Sequence, residues 1–135
     1  MLVALCGCED ECATRASVTV SRDGAELLHV CVDRAVTEDE RRTGLAAYDE
    51  LAAEEGLLIE LPVEGEVCIS AEQVGFPFDV VFIDGKGTVS GVVLEMPAFD
   101  AAIRCHDKAR WVLELARGAA APVVSGDVVE MTFAR

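Results

Sequence analysis

Two runs of β-branched and aromatic residues lie on either side of a short turn sequence near the middle of the chain. The first run covers 78–84 and the second covers 88–95, and Asp-Gly-Lys-Gly at 84–87 joins them. β-Branched and aromatic side chains favour strands, and an Asp-Gly turn favours an antiparallel connection. The pattern therefore predicts a β-hairpin, around which the rest of a sheet has to be built.

Six further short runs have the same strand-like character, which gives eight predicted strands in all. These runs are 16–20, 26–33, 57–62, 65–70, 110–116 and 128–133. Asp23-Gly24 between the first two predicts a second hairpin, and the mixed segment 98–107 is interpreted as a loop or a short helix. Strands that follow one another without alternating helices are typical of antiparallel sheets. We therefore expect an α+β fold that is mostly antiparallel β, with a small barrel-like sheet and one main helix.

The main helix is predicted to begin after Thr37. The sequence Thr-Glu-Asp-Glu at 37–40 has the spacing of a capping box, in which the first and last side chains satisfy each other's backbone N–H groups. Its acidic residues also suit the positive end of the helix dipole. The helix is expected to bend near Gly44 and to direct Leu45, Tyr48 and Leu51 toward the core.

Length and charge limit the classes of function that the chain can have. It has 135 residues, of which 52% are hydrophobic, enough for one domain with a buried core. Its 25 acidic and 11 basic residues give a formal net charge of −14. Such a surface repels phosphate backbones, so we expect no nucleic-acid partner. No run approaches the roughly 18 apolar residues of a transmembrane helix. We also expect the chain to be a monomer.

The first residues, Met1-Leu-Val-Ala-Leu5-Cys6-Gly7-Cys8, resemble the end of a bacterial lipoprotein signal. Cys8 would then be lipidated and would tether the chain to a membrane. The apolar run is short and no Lys or Arg precedes it, so an acidic, cysteine-bearing tail of a cytosolic protein is the alternative. We divide the chain into an N-terminal segment, 1–15, a candidate signal remnant, and a single α+β domain, 16–135. The expected location is the cell envelope or periplasm, as a lipoprotein, with the cytoplasm as the alternative.

The remaining isolated cysteines, Cys31, Cys68 and Cys105, do not have the spacing of a metal site. Structural zinc sites use paired cysteines or cysteines with spaced histidines, and the sequence has neither. We therefore expect no metal and no cofactor. A disulfide from Cys105 to Cys68 or to Cys31 is one interpretation, and three buried free thiols are the other. An oxidising envelope would permit disulfides.

Several short motifs occur together in an order that resembles the domain-of-unknown-function 192 family. They are Glu40-Arg-Arg-Thr-Gly44-Leu45, Gly56-Leu-Leu, Pro77-Phe-Asp79-Val-Val-Phe-Ile-Asp84, Ala109-Arg-Trp-Val-Leu-Glu-Leu115 and Gly126-Asp127. The resemblance extends from about Leu27 to Phe133. It implies a small, mostly antiparallel α+β domain of bacteria or archaea, and an export signal, since many members carry one. It implies no established activity.

The chain departs from that family at its most distinctive motif, a Trp-Met-Lys-Asn-Thr run before the Pro-x-Asp strand. The corresponding positions, 70–74, read Ser-Ala-Glu-Gln-Val, so Glu72 replaces the lysine and the tryptophan is missing. If that run forms the binding surface of the family, the resemblance implies an altered or lost site here. Asp79 is retained.

Asp79 is the most conspicuous polar residue, because it lies inside an apolar strand and a buried carboxylate needs a partner. It either accepts backbone N–H bonds near Gln73 or Gly75, or serves as an acid, base or polar anchor in a pocket. Glu72 and Gln73 precede the strand and could reach the same pocket. A Glu72–Asp79 pair could hold a divalent cation or act as paired carboxylates, although a solvated acidic face is the simpler interpretation.

Arg110 and Trp111 are adjacent on a predicted strand and should point to opposite faces. Trp111 is a core residue or stacks on a ligand at a pocket rim. Arg110 shares a face with Glu114 and either binds a carboxylate or pairs with Glu114. The candidate ligand-binding residues are Glu72, Gln73, Asp79, Arg110 and Trp111, and no catalytic residue is assigned.

These observations favour a non-enzymatic binding or accessory domain of the cell envelope, with a small ligand or an envelope protein as its partner. One alternative is a small acid- or metal-dependent enzyme centred on Asp79 and Glu72. The other is a cytosolic structural domain.

Overall fold

The computed structural model of the chain describes Cys12 and residues 15–133. Seven strands, one short α-helix and a 3-10 turn make up this part of the chain. The strands are β1 (Ala16–Arg22), β2 (Ala25–Ala35), β3 (Glu55–Ser70), β4 (Phe78–Ile83), β5 (Val89–Met96), β6 (Ile103–Ala116) and β7 (Val128–Thr132). The helix α1 spans Glu38–Thr43, and the 3-10 turn spans Gly44–Ala47.

The strands form one sheet in the order β5-β4-β6-β3-β2-β1-β7. Every neighbouring pair is antiparallel except β2 and β3, which run parallel because α1 and the 3-10 turn connect them across one face. The prediction of a mostly antiparallel sheet with one helix is confirmed.

The expectation of a barrel is wrong, because the sheet is not closed. The two edge strands, β5 and β7, approach each other only at their starting ends, through an isolated bridge between Thr88 and Val128. Backbone N–H groups of Val89 and Val129 donate there to Asp127 and Gly87, at 2.9 and 2.8 Å. A barrel needs a continuous ladder between its first and last strands, and this short contact is not one.

Both predicted hairpins form. A tight turn at Asp23 and Gly24 joins β1 to β2. Both residues have positive φ, as a type I′ turn requires. In the β4–β5 turn, Oδ1 of Asp84 accepts the N–H groups of Lys86 and Thr88 at 2.9 and 3.0 Å.

Two predicted strand boundaries are also wrong. The runs 57–62 and 65–70 belong to one strand, β3, because Pro62 falls where the pairing with β6 is irregular and no ladder N–H is needed. Segment 98–107 is not a loop throughout, since β6 begins at Ile103. Exposed polar residues on this part of β6 hide the strand pattern in the sequence.

The capping box is present at the start of α1. The Glu40 N–H donates to the Thr37 hydroxyl at 3.1 Å, and the Thr37 N–H donates to the Glu40 carboxylate at 3.0 Å. The expected bend near Gly44 is instead the end of the α-helix, where φ is +50°; the 3-10 turn continues only to Ala47, so the prediction of a helix reaching Tyr48 and Leu51 is wrong. Leu45 is buried as predicted, whereas Tyr48 and Leu51 are half-buried.

Side chains alternate between two core clusters on the two faces of the sheet. The first core cluster includes Val18, Val30, Leu58, Val81, Ile83, Leu113 and Leu115. The second core cluster, on the face where the 3-10 turn places Leu45, also includes Leu57, Ile59, Phe78, Val80, Phe82 and Val112. Three buried residues of the described chain are polar, namely Asp79, Glu114 and Asp127. Among its helices, none is long and apolar enough to cross a bilayer.

Two disulfides join distant parts of the chain. Cys68 pairs with Cys105 directly across β3 and β6, which is one of the two pairings considered for Cys105. Cys12 pairs with Cys31 on β2, and the sequence did not predict this bond. Cys8 and most of the segment 1–15 lie outside the described residues.

Candidate functional site

A cavity of about 600 Å3 lies between α1, the far end of β3 and the loop before β4. Its lining residues are 41–46, Ile59, 68–70, 72–74 and Glu114. We call it the α1 cavity. Leu45 of the 3-10 turn packs in the second core cluster whereas no residue of α1 does, so space remains between the helix and the sheet.

Glu114 is the polar residue that the sheet places against this cavity. It lies on β6, between β4 and β3, and shares the face of Val112. Only 6% of its surface is exposed, and its Oε1 has no hydrogen-bond partner in the part of the chain that the structure describes. Burial raises the pKa of Glu114 to about 7. Near neutral pH the carboxyl group is therefore divided between its protonated and its ionised form.

The backbone above Glu114 leaves room for its side chain. A Cβ atom on Gly44 would be 3.7 Å from Oε1 of Glu114, in ordinary contact. Gly44 also has positive φ, which suits glycine. Gly44, at the end of α1, thus lies beside the Glu114 carboxyl group.

The two arginines of the lining are already engaged. Arg42 forms ion pairs with Asp39 and Glu38 at 2.9 and 3.3 Å. Arg41 donates to the backbone carbonyl groups of Val36 and Glu60. Neither guanidinium contacts Glu114, so the charge of that carboxylate is not neutralised within the described structure.

Glu72 and Gln73 line the α1 cavity, whereas Asp79, with which the sequence suggested a shared pocket, does not. Both are exposed. No hydrogen bond or ion pair engages the Glu72 carboxylate among the described residues, although its backbone N–H donates to the Ser70 hydroxyl at 3.1 Å. The remaining walls are largely apolar and include Leu45, Ile59, Ile69 and Val74.

Asp79 is fully buried on the opposite face, with the first core cluster. Its Oδ1 accepts the Glu95 N–H at 2.9 Å, and its Oδ2 accepts the N–H groups of Gly118 and Ala120 at 2.9 and 3.0 Å. Both oxygens are thus committed to the backbone. Asp79 is a structural acceptor, as one interpretation predicted, but its donors are not near Gln73 or Gly75. The sheet separates it from Glu72, so these two acids do not form a pair.

Arg110 and Trp111 do not line the α1 cavity. The Arg110 guanidinium carbon lies 5.0 Å from the centre of the Trp111 ring, and Trp111 packs against the first core cluster. Arg110 does not pair with Glu114, and its Nη1 is buried without a partner among the described residues. Of the five predicted residues, the structure therefore brings only Glu72 and Gln73 together.

One cluster has the composition of a metal site. Ligand atoms of Glu66, Cys68 and Cys105 lie within 4.8 Å of one another. Because the two cysteines form a disulfide, the cluster provides no thiolate.

The sequence draws attention to Glu114 as a neighbour of Arg110 but does not predict it as a site residue. Its signal was the same as that of Asp79, a carboxylate within an apolar strand, here the run Trp-Val-Leu-Glu-Leu at 111–115. The sequence could not show which of the two acids has backbone donors around it.

Comparison with known proteins identifies a family and a fold. The sequence profile of DUF192, described as "Uncharacterized ACR", matches residues 18–131. No curated protein matches the sequence.

Four chains of solved structures match this chain, and two of them illustrate the shared fold. One, from Sinorhizobium meliloti, is described as a "putative transcription regulator"; it is 23% identical, with a TM-score of 0.81 over 87% of this chain and 93% of its own. The other, from Novosphingobium aromaticivorans, is described as a protein of unknown function; it is 24% identical, with a TM-score of 0.79 over 84% of this chain and 83% of its own. At these identities the likeness concerns the fold alone.

Proposed function

The chain belongs to the DUF192 family, and we propose that it is a non-enzymatic domain of the cell envelope that binds a small ligand in the α1 cavity. The observation that carries this proposal is the buried carboxyl group of Glu114, which faces a cavity and lacks a partner in the described structure. Buried polar groups are nearly always hydrogen-bonded. A ligand that bonds to Glu114 would satisfy this requirement.

Binding is favoured over catalysis because, in the described part of the chain, the cavity holds one buried acid without a second reactive group beside it. Acid–base catalysis by carboxyl groups commonly uses two acids with different environments. The other buried acid of the sheet core, Asp79, is on the opposite face with both oxygens hydrogen-bonded. Glu72 lies at the surface. An acid-dependent enzyme centred on Asp79 and Glu72 therefore receives no support from the geometry.

Two disulfides support a location in the cell envelope. Disulfides persist in oxidising compartments such as the periplasm and are rare in the bacterial cytosol. Cys12–Cys31 and Cys68–Cys105 are both formed. With the lipoprotein-like sequence before Cys8, they favour an exported domain tethered through a lipidated Cys8. The domain acts there as a monomer.

A nucleic-acid-binding role is not proposed, although one structural neighbour is described as a regulator. The net charge of −14 opposes association with a phosphate backbone. Of the two arginines of the cavity, Arg42 is already paired with two acids and Arg41 donates its Nη1 to two carbonyl groups, so neither guanidinium is wholly available to a phosphate.

Ligand binding can be tested with a set of small organic compounds of mixed charge, observed through the backbone amide signals in NMR. We expect some of these compounds to shift the signals of Leu45, Ile69 and Val74. Ala46→Trp, which places a bulky side chain at the cavity wall, should weaken binding, whereas Ala121→Trp, on the exposed connector, should not. If no compound of any charge affects the cavity signals, the binding proposal is wrong.

The location can be tested separately by mass spectrometry of the mature N-terminus from native cells. We expect an acylated Cys8 as the first residue and recovery in the membrane fraction. Cys8→Ser should release the protein from that fraction. An unmodified Met1 in native cells would contradict the lipoprotein proposal.

A further inference from the structure

The lining of the α1 cavity has an imbalance of available charge. Its two cations are engaged, Arg42 by Asp39 and Glu38, and Arg41 by two backbone carbonyl groups. Its two acids, Glu72 and Glu114, have no counter-ion among the described residues. Arg41 is therefore the one cation of the lining without an ion-pair partner among the described residues, against two such acids, and the buried charge that the lining offers to a ligand, that of Glu114, is negative.

From this arrangement we infer that the cavity takes a small organic ammonium ion, whose charged nitrogen pairs with Glu114. The inference rests on the proposed binding function and specifies its ligand class. The bonding is a charge-assisted hydrogen bond from N–H to the buried carboxylate, with Glu72 adding negative potential at the surface.

The walls favour an organic cation over a metal ion. Leu45, Ile59, Ile69 and Val74 offer hydrocarbon surface, which would contact an alkyl or aromatic body. Calcium and magnesium need about six or more oxygen ligands, whereas a single carboxyl group is buried in this cavity. The volume of about 600 Å3 is that of an organic ligand site.

The charge state of Glu114 adds a dependence on pH. Its pKa of about 7 means that acidification neutralises the acceptor. The ionisable groups that face it in the cavity are Arg41, Arg42 and Glu72, and the strands beside it place Val80 and Leu57 opposite. An ammonium ligand should therefore bind more weakly as the pH falls through 7.

The test uses the full chain and three probes of similar length: hexylammonium, hexanol and hexanoate. Binding is measured by calorimetry and located by NMR. We expect hexylammonium to bind most tightly, and to bind about tenfold more weakly near pH 6 than near pH 8, in proportion to ionised Glu114. Hexanol should show no such dependence.

Glu114→Gln keeps the size of the side chain and removes its charge. It should weaken hexylammonium about 10- to 100-fold at pH 8 and leave hexanol nearly unchanged. Glu130→Gln, an exposed position on β7, is the matched control and should affect neither probe. The pH profile of the unaltered protein tests the same point without any substitution.

The possible failures separate the two proposals. If hexanol or hexanoate binds in the cavity as tightly as hexylammonium, or if Glu114→Gln leaves hexylammonium unaffected, the ligand class is wrong while a binding function stands. If neither these probes nor the mixed set affects the cavity signals, both proposals fall.

Discussion

Glu114 and Asp79 lie on neighbouring strands and are both buried, yet the sheet surrounds them differently. Asp79 is met by three backbone N–H groups, whereas Oε1 of Glu114 has none among the described residues. Three N–H donors occupy the oxygens of Asp79, whereas Glu114 lacks such donors in this part of the chain and burial raises its pKa. The first acid therefore supports the fold, and the second is available to a ligand.

Replacing Glu114 should change how stability depends on pH. Its pKa rises from 4.5 in the unfolded chain to about 7 in the fold. Between these values the folded state binds more protons, so the contribution of Glu114 to the free energy of unfolding is complete below 4.5 and is lost as the pH rises to 7. The loss amounts to about 3 kcal/mol. Glutamine does not titrate. The free energy of unfolding of Glu114→Gln, taken relative to that of the unaltered protein, should therefore increase by about 3 kcal/mol from about pH 4.5 to pH 8.

This prediction is checked by urea unfolding of both proteins at the two pH values. Glu130→Gln, an exposed control, should show no change between them. If the free energies of unfolding of Glu114→Gln and the unaltered protein differ by the same amount at both pH values, Glu114 is not desolvated in the fold.

Replacing Asp79 should affect stability and not binding. In Asp79→Asn an NH2 group takes the place of one carboxylate oxygen. It would face a backbone N–H that now donates to that oxygen, so at least one hydrogen bond is lost. We expect a loss of about 2–4 kcal/mol in the free energy of unfolding. Urea unfolding measures this loss, with the exposed Asp107→Asn as control. Unchanged stability together with lost ligand binding would instead make Asp79 a site residue.

At the scale of elements, the Cys68–Cys105 disulfide holds together the parts of β3 and β6 that extend beyond the core. Cys68 also lines the α1 cavity, next to Ile69 and Ser70. A covalent bond between these strands restricts both the unfolded chain and the wall of the cavity.

Cys68→Ser with Cys105→Ser should lower the free energy of unfolding by about 2–4 kcal/mol and also weaken ligand binding. The matched control replaces Cys12 and Cys31, which do not line the cavity, and should lower stability alone. Urea unfolding and the NMR titration measure the two effects. Equal weakening of binding by both double variants would contradict a local effect of Cys68 on the cavity.

The sequence predicted the local elements well because their signals are local. The Asp-Gly turns and the capping box at 37–40 depend on residues within a few positions of one another. The single strand β3 was missed because Pro62 normally ends a strand, and here an irregular register accommodates it.

For the molecule as a whole, prediction failed where distant segments decide the outcome. Whether the sheet closes depends on how much of β5 pairs with β7, and the number of strands does not determine this. Alternation along β4 shows that Asp79 and Val80 point to opposite faces, but only the sheet order and the placement of α1 show which face has a cavity. The family resemblance was correct and supplied no activity.

The account as a whole depends on a buried, ionisable Glu114 in a ligand cavity. The most direct test is a carbon-detected NMR titration of the Glu114 carboxyl group, without ligand and with saturating hexylammonium. We predict a midpoint near pH 7 in the free protein and a lower midpoint with the ligand, because the cation stabilises the ionised form. A midpoint near 4.5 in the free protein, unmoved by any ligand, would contradict the account.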